Sequence, residues 1–170
     1  MRALLLAVLV TNITAAQTQD VDRWAPVRPL VGRWKGAAEG RSGNGQVERT
    51  YEFVMNGRFL QERNTSTYPP QEKNPKGETH EHMTMFSYDR ARKTIVMRQF
   101  HVEGFINQYA RITSDKLVFE SEAFENLPAG WRARESYEFP APDEFVETFE
   151  LAAPGKDFEV YSRTHFKRVN

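Results

Sequence analysis

Short runs rich in aromatic and β-branched residues alternate along this chain with turn signals about every eight to twelve residues, and almost no stretch carries helical periodicity. Such a chain is constrained to antiparallel β-structure. The sharpest signal is Asn56-Gly57, set between residues 46–55 and 58–67, because both central positions of a tight hairpin turn need positive φ. Further strands are expected over 80–88 and 93–101 around Asp89-Arg90-Ala91-Arg92, then over 105–112 beyond Glu103-Gly104. The rest follow over 117–124, 131–139, 144–151 and 158–168. With a first strand around Trp34 the count is about ten. Up-and-down order with short turns favours closure, which removes the edges that a long meander would leave unpaired. The expected fold is therefore all-β, a single up-and-down antiparallel β-barrel of about ten strands.

Residues 30–40, Leu-Val-Gly-Arg-Trp-Lys-Gly-Ala-Ala-Glu-Gly, suit a first strand that curls under one end of such a barrel. Gly36 and Gly40 allow the bend and Trp34 fills the floor. Ahead of it Trp24, Pro26 and Pro29 fit a short helix or turn laid across that end. The proline-rich stretch 68–77 reads as a loop overhanging the other end. Residues 1–16 read as a secretory signal: Arg2, a short apolar run, then Thr14-Ala15-Ala16 before a cut near Gln17. That leaves 17–29 as an extension and 30–170 as one barrel domain, secreted or periplasmic, with no integral membrane segment after signal removal.

Lys and Arg number 23, as do Asp and Glu, so the chain has no electrostatic footprint for nucleic acid. Without cysteine it has no disulfide, thiolate ligand or cysteine nucleophile. No Gly-x-Ser-x-Gly elbow, phosphate loop or dinucleotide fingerprint is present.

Gly32-Arg33-Trp34-Lys35-Gly36 with Glu39-Gly40 resembles the opening Gly-x-Trp motif of the lipocalin and fatty-acid-binding-protein superfamily, and more closely that of the nitrobindin-like haem-binding β-barrels. Asn56-Gly57-Arg58-Phe59-Leu60 is similar to their Gly-x-Pro-Phe-Leu hairpin without its proline. Thr79-His80-Glu81-His82 resembles their His-x-Glu segment, and Phe166-Lys167-Arg168-Val169 their closing strand end. The resemblance implies a ligand-binding barrel, with haem held by a last-strand histidine seven residues before the terminal basic position. Counting back from Arg168, that position is Tyr161, while His165 lies four residues further on. A haem ligand would thus be Tyr161 or His165. Fatty-acid-binding proteins anchor carboxylates with an Arg and a Tyr two apart on the last strand, and Tyr161/Arg163 resembles that pair in reversed order.

Tyr161, Arg163 and His165 share one face of the last strand; Phe158, Val160, Ser162, Thr164 and Phe166 share the other. If the polar face points inward it offers a cavity an Arg and a Tyr for a carboxylate. If the apolar face does, the polar set is solvated. His80 and His82 also share a face, with His101 and Glu103 similarly spaced. Together they are a usable zinc spacing if adjacent strands bring them level, and otherwise serve in loop packing. The reading taken is no metal. Glu120, Glu122, Glu125, Arg132, Arg134 and Glu135 read as cross-strand charge pairs.

The function expected is the binding of a small apolar or amphipathic ligand inside the barrel, without catalysis. Candidate ligand-binding residues are Trp34, Tyr161, Arg163 and His165. The alternatives are a nitrobindin-like haem barrel acting on reactive nitrogen species and a partner-binding sandwich with a filled core.

Overall fold

The computed structural model describes residues 22–72, 74–112 and 116–169; the signal segment read in residues 1–16 lies outside them. Ten strands follow one another: β1 (Gly32–Gly40), β2 (Gly45–Val54), β3 (Phe59–Tyr68), β4 (Glu78–Asp89), β5 (Thr94–His101), β6 (Ile106–Arg111), β7 (Leu117–Glu125), β8 (Arg132–Ala141), β9 (Glu144–Ala152) and β10 (Glu159–Val169). Each pairs antiparallel with its sequence neighbour, and β1 pairs with β10, so the sheet closes into a barrel with no free edge.

Turn chemistry sets the registers. Asn56 and Gly57 have φ of 58° and 72°, and the Arg58 amide donates to the Met55 carbonyl at 3.3 Å, closing the expected hairpin between β2 and β3. At the β4–β5 turn the Asp89 carboxylate accepts from the amides of Ala91 and Arg92 at 2.9 and 3.0 Å. Its length puts His82 directly opposite His101. Pro140, which cannot donate to a ladder, sits where the β8–β9 register shifts between Glu138 and Ala141.

The floor is apolar. Trp34, Tyr51, Leu60, Phe86, Met97, Phe119, Tyr137, Phe145 and Phe166 are buried there, and Trp24, Val27 and Leu30 cover it from the turn that ends in the 3-10 segment Arg28–Leu30. The Trp34 indole donates to the Leu30 carbonyl at 2.6 Å and meets the Phe145 ring edge-on at 4.7 Å. Gly36 leaves room for this packing, since a Cβ there would stand 2.8 Å from the Phe166 ring. At the opposite end lie the β1–β2, β3–β4, β5–β6, β7–β8 and β9–β10 connections, the 69–77 loop among them.

Candidate functional site

The interior changes character above the floor. Strand alternation turns Arg49, Glu62, Asn64, Ser66, Gln99, Asn107, Glu135, Glu147 and Thr164 inward, and all are buried. Arg49 organises one network. It pairs with Glu147 through Nη1 and Nη2, each at 2.9 Å, and with Glu62 through Nε at 3.1 Å, and it donates to Asn64 Oδ1 at 2.9 Å. Burial alone pushes the Glu62 carboxyl up, but the Arg49 charge and the His82 hydrogen bond outweigh it and bring it down to about 2. A second network runs across β5, β6 and β8. Gln99 Nε2 donates to Glu135 at 2.7 Å, the Tyr137 hydroxyl donates to the other Glu135 oxygen at 2.8 Å, and Asn107 Nδ2 reaches the Tyr109 hydroxyl at 3.3 Å. Burial, then the charges of Glu147 and Glu62, push Glu135 up to about 8, so it stays protonated at neutral pH.

Between the networks, at the mouth, stand three histidines. His82 Nε2 lies 3.1 Å from Glu62 Oε1, His80 Nδ1 lies 2.8 Å from Glu103 Oε1, and His101 Nε2 lies 3.1 Å from Asn107 Nδ2. The ring centroids of the three are 5.2 to 5.8 Å apart. Burial, then the neighbouring His82 and His80, hold the His101 imidazole down at about 3, so it is neutral in ordinary conditions.

No family model matches the chain. No curated protein sequence matches it either. Solved structures do: Rv2717c from M. tuberculosis superposes with a TM-score of 0.62 at 16% identity, covering 88% of this chain and 98% of that one. A de novo designed fluorescence-activating β-barrel aligns with a TM-score of 0.40 at 11% identity over 82% of this chain and 93% of its own. The likeness to the M. tuberculosis protein is one of fold.

The residues singled out on the last strand do not gather in the interior. Thr164 and Phe166 face inward and are buried, so Arg163 and His165 point to the outer surface, and both are exposed. Tyr161 is the extra residue of a bulge between Val160 and Ser162; it leans edge-on against Phe149, ring centroids 5.7 Å apart. Tyr161 and Arg163 line a shallow depression of about 850 Å³ on the lip with Glu39, Gly40, Arg41, Asn44 and Val160. The haem arrangement that the resemblance implies does not fit these residues. His165 is outside, Tyr161 sits in the bulge against Phe149 at the lip, and the Arg49–Glu147 pair occupies the interior next to β10, with Arg49 4.7 Å from the Phe166 ring centroid. Trp34 is in the floor, as expected of it.

Glu135 belongs to the interior and not to the surface charge ladder in which the sequence places it. Of the others, Arg134 stands opposite Glu120 but forks to Glu150 at 2.8 and 3.0 Å, and Glu122 pairs with Arg92, so both find partners outside the expected hairpin. Arg49, Glu62 and Glu147 escaped notice as site residues although a signal existed. Arg49 alternates in phase with Val47 and Tyr51, which marks it as inward.

Proposed function

We propose that this barrel is a binding protein for a small amphipathic molecule that enters at the mouth. The observation that carries the reading is that the mouth half of the interior has two unlike walls. One, on β3 to β6, is polar: Asn64, Ser66, His80, His82, Gln99, His101 and Asn107. The other, on β1, β2 and β7 to β9, sets the small or apolar Ala38, Val47, Phe124, Ala133, Phe149 and Leu151 around the buried Arg49, Glu135 and Glu147. Tyr68, Phe124, Phe149 and Leu151 are only partly buried although they pack against the core, which is how side chains around an opening sit. A core built only for stability would not place two buried polar networks, one of them charged, beside half-open aromatics, because buried polar groups cost free energy unless every one is paired. Export, which the signal-like residues 1–16 support, is part of the same proposal; the mass of the protein recovered outside the cytoplasm tests it by showing whether the chain starts near Gln17.

The test is a titration with N-phenyl-1-naphthylamine, a neutral amphiphilic fluorophore. One molecule per barrel is expected to bind with a blue-shifted, saturable emission, and to raise the unfolding midpoint as RT ln(1 + [L]/Kd) requires. Phe149→Ser and Gln99→Leu, one on each wall, are expected to weaken binding. Lys35→Ala, on the exposed outer face, leaves it unchanged. Absence of saturable binding by the folded protein would overturn the reading.

A further inference from the structure

We propose that His80, His82 and His101 form a binding site for one divalent transition-metal ion of the zinc class at the mouth of the barrel. One ring nitrogen from each histidine can be chosen so that all three lie within 4.8 Å of one another. Their outer partners decide which. Glu103 takes His80 Nδ1, Glu62 takes His82 Nε2 and Asn107 takes His101 Nε2, leaving His80 Nε2, His82 Nδ1 and His101 Nδ1 for a shared centre. Two of these, His80 Nε2 and His101 Nδ1, already stand 3.1 Å apart. Tetrahedral zinc with bonds of about 2.0 to 2.1 Å places its nitrogen ligands about 3.4 Å apart, close to the separation that His80 Nε2 and His101 Nδ1 already have.

An orphaned atom points the same way. His82 Nδ1 is buried with no hydrogen-bond partner. With the proton of that ring on Nε2 toward Glu62, Nδ1 carries the lone pair, and a lone pair buried without a partner is costly in a site of this polarity. A bound ion takes it directly. Binding at His101 Nδ1 places the His101 proton on Nε2, which the Asn107 amide accepts by turning its oxygen toward the ring.

The surroundings are those of a metal site. Carboxylates behind two of the three imidazoles fix their tautomer and raise their basicity as ligands. Among the described residues, the buried carboxylates Glu62 and Glu147 outnumber the Arg49 guanidinium by one charge, so the interior beside the histidines is net negative and attracts a cation. Three histidines with no fourth protein ligand leave one position open toward the mouth for water or an anionic group. The site stands on the histidines alone and not on the amphiphile reading, so either can fail without the other.

The experiment is a calorimetric titration of the metal-stripped protein with zinc chloride at pH 7.5, paralleled by cobalt(II) titration followed in the visible. Wild type is expected to bind one zinc per chain, and cobalt(II) to give the intense d–d absorption of a four-coordinate nitrogen site. His80→Ala, at a partly exposed side chain, is expected to weaken zinc at least tenfold, as is His101→Gln. Circular dichroism confirms that both variants remain folded, and His165→Ala on the outer face serves as control. Failure of the wild type to bind stoichiometrically, or binding unchanged in both His80→Ala and His101→Gln, would overturn the assignment, as would loss on His165→Ala alone.

Discussion

The guanidinium of Arg168 lies 4.1 Å from the ring centroid of Trp34 and donates to the carbonyls of Val31 at 2.6 Å and Pro29 at 3.0 Å. The last strand is thereby fastened to the first and to the segment that covers the floor. Because the contact joins the first strand to the last, its loss weakens the floor end of the β1–β10 seam. Arg168→Ala is expected to lower the unfolding free energy by about 2 to 3 kcal/mol, from the cation–π contact and the two stranded carbonyls. Arg168→Lys recovers less than half, since an ammonium cannot reach both carbonyls while covering the ring. Urea titration measures both.

Arg49 is the only cation balancing Glu62 and Glu147 in the described interior. Arg49→Met leaves two carboxylates buried without their counter-charge and should cost about 3 to 5 kcal/mol. Adding Glu147→Gln removes one of the stranded charges. The double variant is therefore expected to be more stable than the sum of the two single losses implies, by at least about 1 kcal/mol in a double-mutant cycle.

Glu135 gives the barrel a weakness toward alkali. Its folded-state value near 8 lies above the ordinary 4.5, so the stability tied to its protonated form is fully present below about pH 4.5 and is lost as pH rises through about 8. Glu135→Gln keeps acceptor and donor capacity toward Gln99 and Tyr137 without the ionisation. The variant is expected to melt higher than wild type at pH 8.5 and to show no such advantage at pH 5, as thermal scans at the two pH values would record.

Gly36 is fixed by space rather than by backbone angle. A Cβ there would stand 2.7 Å from Thr164 Cγ2 and 2.8 Å from the Phe166 ring. Gly36→Ala should cost about 1 to 3 kcal/mol through overpacking, and Gly36→Val more. Denaturant midpoints with an unchanged slope would show that the cost is in the native state.

Strand number, order and closure were legible because turn residues punctuate the sequence: Asn56-Gly57, Asp89 to Arg92 and Pro154-Gly155 each end one strand and start the next. The inward face of β10 was not legible. Both of its faces mix polar and aromatic residues, and the bulge at Tyr161 breaks the alternation on which such an inference rests. The histidines were half legible. His80 and His82 share a face by spacing, but their approach to His101 depends on the register that the Asp89 turn imposes, and their outer partners Glu62 and Asn107 lie on other strands. Glu135 misled because its sequence neighbours Arg134 and Glu138 do make surface pairs; alternation with Ala133 and Tyr137 was the better guide.

The most direct measurement is the amide chemical-shift map of the labelled protein during titration with N-phenyl-1-naphthylamine. For a ligand that enters the mouth, the largest changes fall on inward residues of the mouth half, among them Ser66, Gln99, Asn107, Phe124 and Phe149, with little change at Trp34 in the floor or at Lys35 and Lys167 outside. Changes confined to the outer faces of the strands, or none at saturating probe, would contradict a binding function for the interior.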